Sequence, residues 1–438
     1  MMKQVFRETQ GELANVDCKS RVWSISFSVM ANDAHFSLLS LLRDGLVVLG
    51  VIKNSNATLT VNFGLEGRYA VRLSTRLHAG ENRFTVSSFG HKYQLVQDGR
   101  LVDEDWPITP IELDGCVCRI NRVGAVLSDT AQELMPYEVG SVTTIDKMTD
   151  DGMDCYFGDC MPMVHDGIFH LFYLYDRRRH GSKNNIGGHQ WAHISSTDLV
   201  NWTRHPMAIA IENNMEASFR TGSIIFYRGK FYAFNVPVNS DRSPNMVTYS
   251  VSEDGIHFQK SGKGFYLDEK YDNVGLRDPH VFLDDDGKLH MMLSTKLRSA
   301  DGHHRGCVLH FRGEDVDTWV MDEKPFFEID LNEFPECTDY FKWNGRYYFT
   351  YCIHSVCHYM FSDKPFSDFV SHPEQILGAN GFVVPKTAEF KGRRIAAAFS
   401  WIPYFSYAGE PVFLEVLQCE DGRLDFRIPA EYLPNESN

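Results

Sequence analysis

One short pattern recurs five times in the C-terminal part of the chain: a polar residue, a glycine, then a run of aromatic or aliphatic residues. It reads HDGIFHLFYLY, YRGKFYAFNVP, DDGKLHMMLST, WNGRYYFTYCI and FKGRRIAAAFS, with Gly167, Gly229, Gly287, Gly345 and Gly392 spaced by 62, 58, 58 and 47 residues. A repeat at such a period is a supersecondary unit that cannot bury its apolar face alone, so the units must pack on one another. The interval suits one four-stranded antiparallel sheet, with the glycine in the hairpin between its first two strands. Five units predict a five-bladed β-propeller over residues 150–438.

Residues 22 to 120 follow a different rhythm. Apolar and polar positions alternate in VWSISFSV, ATLTVNFG, NRFTVSSF and KYQLVQDG, between turns rich in Asn, Asp and Gly. Period two with frequent turns argues an all-β sandwich. The stretch HKYQLVQDGRLVDEDWP resembles a concanavalin-like, laminin G-type jelly roll. Residues 1–140 are therefore expected to form a β-sandwich that supports the propeller or binds carbohydrate. From about residue 120 to 152 the pattern loosens; the stretch RVGAVLSDTAQELMPYEVGS predicts one short helix, and the domain boundary is placed at residues 140–150.

Charge and cysteine usage exclude several functions. The chain carries 58 acidic and 43 basic residues, a formal net charge of -15, and no long run of lysine and arginine. It offers no footprint for a phosphate backbone, so nucleic acid is excluded as a partner. The short cluster RRRH at Arg177–His180 reads as a solvated loop. No run of about 18 apolar residues is present, and the first residues lack a signal-peptide core; the expectation is a cytosolic protein with no membrane partner. Ten cysteines are scattered from Cys18 to Cys419, which predicts reduced thiols. Neither Cys116 with Cys118 nor Cys352 with Cys357 has zinc-finger spacing, and His189 with His193 lacks the glutamate of the zinc-protease helix, so no metal is assigned.

The repeat gives the carboxylates a common frame. Glu336 lies nine residues before Gly345, Asp278 nine before Gly287 and Asp159 eight before Gly167, while Arg220 lies nine before Gly229. The first strand of a propeller blade lines the central channel, so shared phase predicts that the three acids meet at one mouth. Crowded carboxylates repel and are costly to desolvate, an arrangement that serves chemistry by raising at least one pKa. A carboxylate pair with a third acid suits glycoside cleavage, in which one acid protonates the leaving oxygen and another attacks the oxocarbenium-like centre. Tyr156, Phe157, Trp191, Phe219, Tyr340 and Trp401 are candidate partners for sugar faces, although aromatic side chains equally build blade cores.

These residues resemble glycoside hydrolase family 32, the β-fructofuranosidases, invertases and fructanases. HQWAHISSTDLVNWTRHPMAIA is similar to the family's WGHAVSxDLxxW segment; FRTGS stands where the family has FSGS; LRDPHVF carries its Arg-Asp-Pro motif and PECTDYF its Glu-Cys motif. The resemblance implies Asp159 as nucleophile, Asp278 as transition-state stabiliser and Glu336 as general acid/base. It further implies that Arg277 binds substrate or sets a pKa and that Trp191 and Phe219 wall the sugar pocket; Arg220, by its phase, and Tyr156, as an aromatic candidate, are added as expected substrate-binding residues. No cofactor is implied, and the expected partner is a short oligosaccharide with a terminal β-fructofuranosyl unit. The chain departs from the family at YFGDCMP, where WMNDPNG is usual, and at Leu174, where a glutamine is common. The segment RRRHGSKNNIGG at residues 177 to 188 is expected to cap and shorten the pocket. Alternative readings are an arabinofuranosidase-like glycosidase, a glycoside phosphorylase of the same architecture, and a noncatalytic sugar-binding propeller.

Overall fold

A computed structural model of the chain describes residues 2–7, 13–31, 36–64, 71–142, 155–300, 302–377, 382–400 and 407–433. Within them the protein is nearly all β; the helical turns are Ser182–Asn185 and the 3-10 turn Ala430–Tyr432. No helix among the described residues is long and apolar enough to cross a membrane. The expected domain boundary, at residues 140–150, falls largely outside the described residues, as does Trp401.

The N-terminal residues form two six-stranded antiparallel sheets. One contains Val22–Met30, Glu81–Phe89 and Arg100–Asp105; the other contains Phe36–Arg43, Leu46–Lys53 and Thr58–Phe63. Strict alternation explains why they meet. Val22–Met30 buries Trp23, Ile25, Phe27 and Val29, and Thr58–Phe63 buries Leu59, Val61 and Phe63, all within one apolar cluster. The short helix expected between Arg122 and Ser141 is absent. Ala125–Ser128 alternates buried and open positions and pairs with both Lys3–Phe6 and Val22–Met30, so period two wins there.

Six further antiparallel sheets follow among the described residues; one is the two-stranded pair of Glu216–Phe219 with Pro237–Asn239, and the other five follow in chain order. Their first strands are Cys155–His165, Ser223–Tyr227, Arg277–Leu283, Glu336–Trp343 and Phe382–Phe390, and each pairs with the next strand in sequence. These first strands pack on one another in order, and the fifth returns to the first. Four of the repeat glycines sit in two-residue hairpins after a residue of positive φ: Asp166-Gly167, Arg228-Gly229, Asn344-Gly345 and Lys391-Gly392. Left-handed backbone at both central positions matches the twist of the flanking strands, which is why glycine recurs here. Gly287 instead closes a longer loop, its N–H donating to Asp284 O at 2.9 Å.

Two expectations about side chains are overturned. Cys352 and Cys357 are joined as a disulfide, because the hairpin register sets them directly opposite each other across the His354-Ser355 turn. The cluster RRRH is not a solvated loop. Arg177 is fully buried, and Arg177 and Arg178 both donate to Asp103 of the N-terminal sheets, with Arg178 also reaching Asp105 at 2.5 Å. Lys183 adds its backbone N–H to Asp105 at 2.9 Å and its Nζ to Pro107 O at 2.8 Å. Trp106, next in sequence, is buried among Met161, Phe172, Trp191 and Phe219. The acidic segment Asp103–Trp106 thus fastens the N-terminal sheets to the segment that follows Ile168–Arg177.

Candidate active site

In four of the five first strands the ladder slips at the same place. The slips lie between Phe157 and Cys160, Arg277 and His280, Glu336 and Asp339, and Val383 and Lys386. In each, two residues oppose one on the partner strand, a β-bulge that bends the strand and re-aims its side chains. Asp278, Cys337 and Val384, the first extra residue in three of them, have φ of 57°, 51° and 49°. Gly158 holds that position in the first strand, where a Cβ would lie 2.6 Å from the Tyr407 hydroxyl. The departure from the family's asparagine therefore makes room for Tyr407.

The bulges correct the phase read from the sequence. Counting back from each glycine sets Asp278 level with Glu336, but the loop around Gly287 is longer than the other hairpins. The ladders instead place Arg277 level with Glu336, and Asp278 level with Cys337. Asp159 stands one position further along, level with Pro279 and Thr338. The three acids converge from three successive bulge positions, on three strands, rather than from one.

They line one pocket of about 320 Å3, together with Arg220, Thr221, Arg277, Cys337, His180, His189 and Tyr407. Asp159 is held from three sides. Thr221 Oγ1 donates to its Oδ2 at 2.5 Å, Tyr407 Oη donates to its Oδ1 at 2.9 Å, and Cys337 Sγ lies 3.3 Å from Oδ2. Asp278 is buried and accepts the Cys337 N–H at 2.7 Å. Burial pushes its carboxyl upward, opposed by the charge of Arg277. Arg277 Nη1 donates to Glu336 Oε1, and its guanidinium lies 4.1 Å from the Phe334 ring centre. The Glu336 carboxyl is raised by burial; Arg277 opposes this, while Asp278 and Asp159 reinforce it. A larger cavity of about 710 Å3 lies against Leu46, Val48, Phe63 and Tyr93, and holds none of the three acids.

Of the expected substrate-binding residues, Arg277, Phe219 and Arg220 line the pocket. Arg220 donates to Gly275 O at 3.0 Å, and burial lowers its pKa to about 9. Trp191 and Tyr156 do not line it. Trp191 is fully buried and its Nε1 donates to Arg220 O at 3.0 Å, so it backs the pocket wall from within. Tyr156 packs under the Arg179 guanidinium at 3.6 Å. Strand aromatics alternate faces, and these two point into packing. His180 and Ile186, from the segment expected to cap the pocket, are among its lining residues. Sequence reasoning missed Thr221, Cys337, Tyr407, His180 and His189. Thr221 and Cys337 sit beside residues that were picked, whereas Tyr407 carries no local signal.

An all-β chain with three carboxylates and two arginines around one pocket has the features of a carbohydrate-cleaving enzyme class. Comparison with known proteins identifies the group. Residues 160–380 match the Glycosyl hydrolases family 32 N-terminal domain, and the chain belongs to glycoside hydrolase family 32. It is 26% identical over 191 residues to sucrose-6-phosphate hydrolase of Escherichia coli, covering 41% of this chain and 37% of that protein. It is 26% identical over 192 residues to an insoluble-isoenzyme β-fructofuranosidase of Arabidopsis thaliana, covering 41% of this chain and 31% of that one. These matches span about a third of each relative. Among solved structures, fructan 1-exohydrolase IIa from Cichorium intybus superposes with a TM-score of 0.53 at 18% identity, covering 68% of this chain and 62% of that chain. The Bombyx mori GH32 β-fructofuranosidase gives 0.52 at 17%, covering 64% and 65%. At such identity these two likenesses establish a shared fold.

Proposed function

We propose that this protein is a retaining glycoside hydrolase that cleaves terminal β-fructofuranosidic linkages in short oligosaccharides. It would do so on a five-bladed β-propeller, residues 150–438, preceded by a β-sandwich, residues 1–140. The cyclic packing of five first strands and the single core shared by two six-stranded sheets support that architecture.

The observation that carries the reading is the asymmetry of the acids. Asp159 is oriented by two hydroxyl donors, whereas burial drives Glu336 toward its protonated form. A carboxyl held in place by two hydroxyl donors, beside a second carboxyl raised by burial, divides the roles of nucleophile and acid. An Asp159 oxygen attacks the anomeric carbon as the bond to the leaving oxygen breaks, and Glu336 gives its proton to that oxygen. Glu336, now ionised, takes a proton from water, and the resulting hydroxide displaces Asp159 from the sugar. Asp278, aimed by the Cys337 N–H, accepts hydrogen bonds from ring hydroxyls. Arg277 and Arg220 offset the negative charge of the set.

The test is a product screen with sucrose, short inulin-type and levan-type oligosaccharides and arabinosides, with and without phosphate. Fructose release that needs no phosphate, with retained anomeric configuration by NMR, is expected. Removal of the nucleophile by Asp159→Asn should lower kcat by at least about 1,000-fold, the scale on which loss of a covalent step is felt. Turnover of arabinosides alone, or unchanged turnover in Asp159→Asn, would overturn the proposal.

A further inference from the structure

Beside the three acids stands a second cluster that the proposed reaction does not use. Asp176, on the strand Ile168–Arg177, is fully buried. Its Oδ1 accepts both the His180 backbone N–H at 2.9 Å and a contact from His189 Nε2 at 3.0 Å, while its Oδ2 has no hydrogen-bond partner among the described residues. Its ion-pair partner among the described residues is His189. The neighbouring arginines are engaged elsewhere: Arg177 and Arg178 on Asp103, and Arg179 on the carbonyls of Tyr407 and Ala408. A carboxylate at this depth costs several kcal/mol unless a positive charge balances it.

We propose that Asp176, His180 and His189 bind a divalent transition-metal ion on the pocket wall. One ligand atom from each residue lies within 4.8 Å of the others. The 3.0 Å between Asp176 Oδ1 and His189 Nε2 matches two ligands at right angles around an ion bound at about 2.1 Å, and lies about 0.4 Å short of the tetrahedral separation. The pair therefore has its bite already, and only His180 must draw in. Two imidazoles and one carboxylate favour zinc, cobalt, nickel or ferrous iron over calcium and magnesium, which prefer all-oxygen shells. His180 and His189 both line the pocket, so remaining coordination positions face the space where a sugar would sit. Tyr407 stacks on both rings, at 4.1 Å from His180 and 5.3 Å from His189, and donates to Asp159. An ion that fixes the two imidazoles would fix Tyr407, and through it Asp159. In this chain Tyr407 is a positioning residue for Asp159, with the metal beneath it.

The competing account is that His189 simply hydrogen-bonds Asp176 and no ion enters. The two separate by direct binding, whatever the sugar specificity. The full-length protein is stripped with chelator, dialysed, and titrated with Zn2+ by calorimetry and with Co2+ by visible absorption. One equivalent should bind, Co2+ should show ligand-field bands, and the thermal midpoint should rise with metal. His180→Asn removes a ligand whose ring makes no ion pair among the described residues, and His189→Gln keeps a hydrogen-bond donor for Asp176; each should weaken binding at least 100-fold. Circular dichroism of the stripped variants reports whether they fold, and His180→Asn alone suffices if His189→Gln does not. Absence of stoichiometric binding, or binding that persists unchanged in folded His180→Asn, would overturn the proposal.

Discussion

Asp103 is the most informative residue to change, because it lies in the N-terminal sheets yet holds the wall of a pocket built elsewhere. It receives Arg177 and Arg178 on Oδ1, and the Ser74 N–H on Oδ2 at 2.7 Å. Asp103→Asn keeps an acceptor but removes the charge, leaving Arg177 fully buried beside Cys155 Sγ at 3.2 Å. Breaking a buried pair from one side costs about 3–5 kcal/mol. Arg178, at the edge of the pocket segment and more open, adds less. The segment has further reason to loosen. Arg178, Arg179, His180, Lys183, Asn184 and Asn185 all have positive φ, a conformation costing about 1 kcal/mol per non-glycine residue and kept only where surroundings impose it. The expected result is a fall of about 3–5 kcal/mol in the first urea transition, with a rise in KM as His180 and Ile186 lose their fixed places. A cycle with Arg177→Met isolates the pair: the double variant Asp103→Asn, Arg177→Met should recover most of the loss. A loss below about 1 kcal/mol in Asp103→Asn, or strictly additive single effects, would refute the coupling of the two regions through this pair.

Three more outcomes follow from the titrating groups. Asp278 has a raised folded pKa, so the folded state binds its proton more tightly and stability falls as pH rises through the window above the ordinary value of 3.8. Asp278→Asn should therefore raise the thermal midpoint at pH 7 while reducing kcat/KM by at least about 100-fold, measured by calorimetry and sugar release; a lowered midpoint would refute the charge argument. Arg277 favours the ionised form of Glu336, so Arg277→Met should move the alkaline limb of the kcat/KM profile to higher pH, and a shift to lower pH would contradict the assignment of Glu336 as acid. His170 and His280 are lowered to about 4, chiefly by burial. Their unfolded forms bind protons first as pH falls, so stability should drop between about pH 6.5 and 4, by up to roughly 3 kcal/mol for each. His280→Gln should flatten that dependence in acid melts, and an unchanged slope would exclude His280 as a source.

What the sequence determined by itself is what short stretches of chain can encode. A polar residue before glycine favours a left-handed two-residue hairpin turn, so four of the five repeat turns were legible without any tertiary knowledge, while Asp286-Gly287 closes a longer loop. Alternation fixed which faces of Val22–Met30 and Thr58–Phe63 are buried. The repeat also singled out Asp159, Asp278 and Glu336, because each lies on the first strand of its unit. The tertiary structure decided what depends on residues distant in the chain. Tyr407 reaches Asp159 across 248 residues and Arg177 meets Asp103 across 74, pairings that no local pattern records. Trp191 and Tyr156 look like sugar platforms by type, and only packing shows that they face inward or into a neighbouring cation. The level of each acid, too, was set by bulges and by one longer loop, since a single extra residue redirects every side chain beyond it.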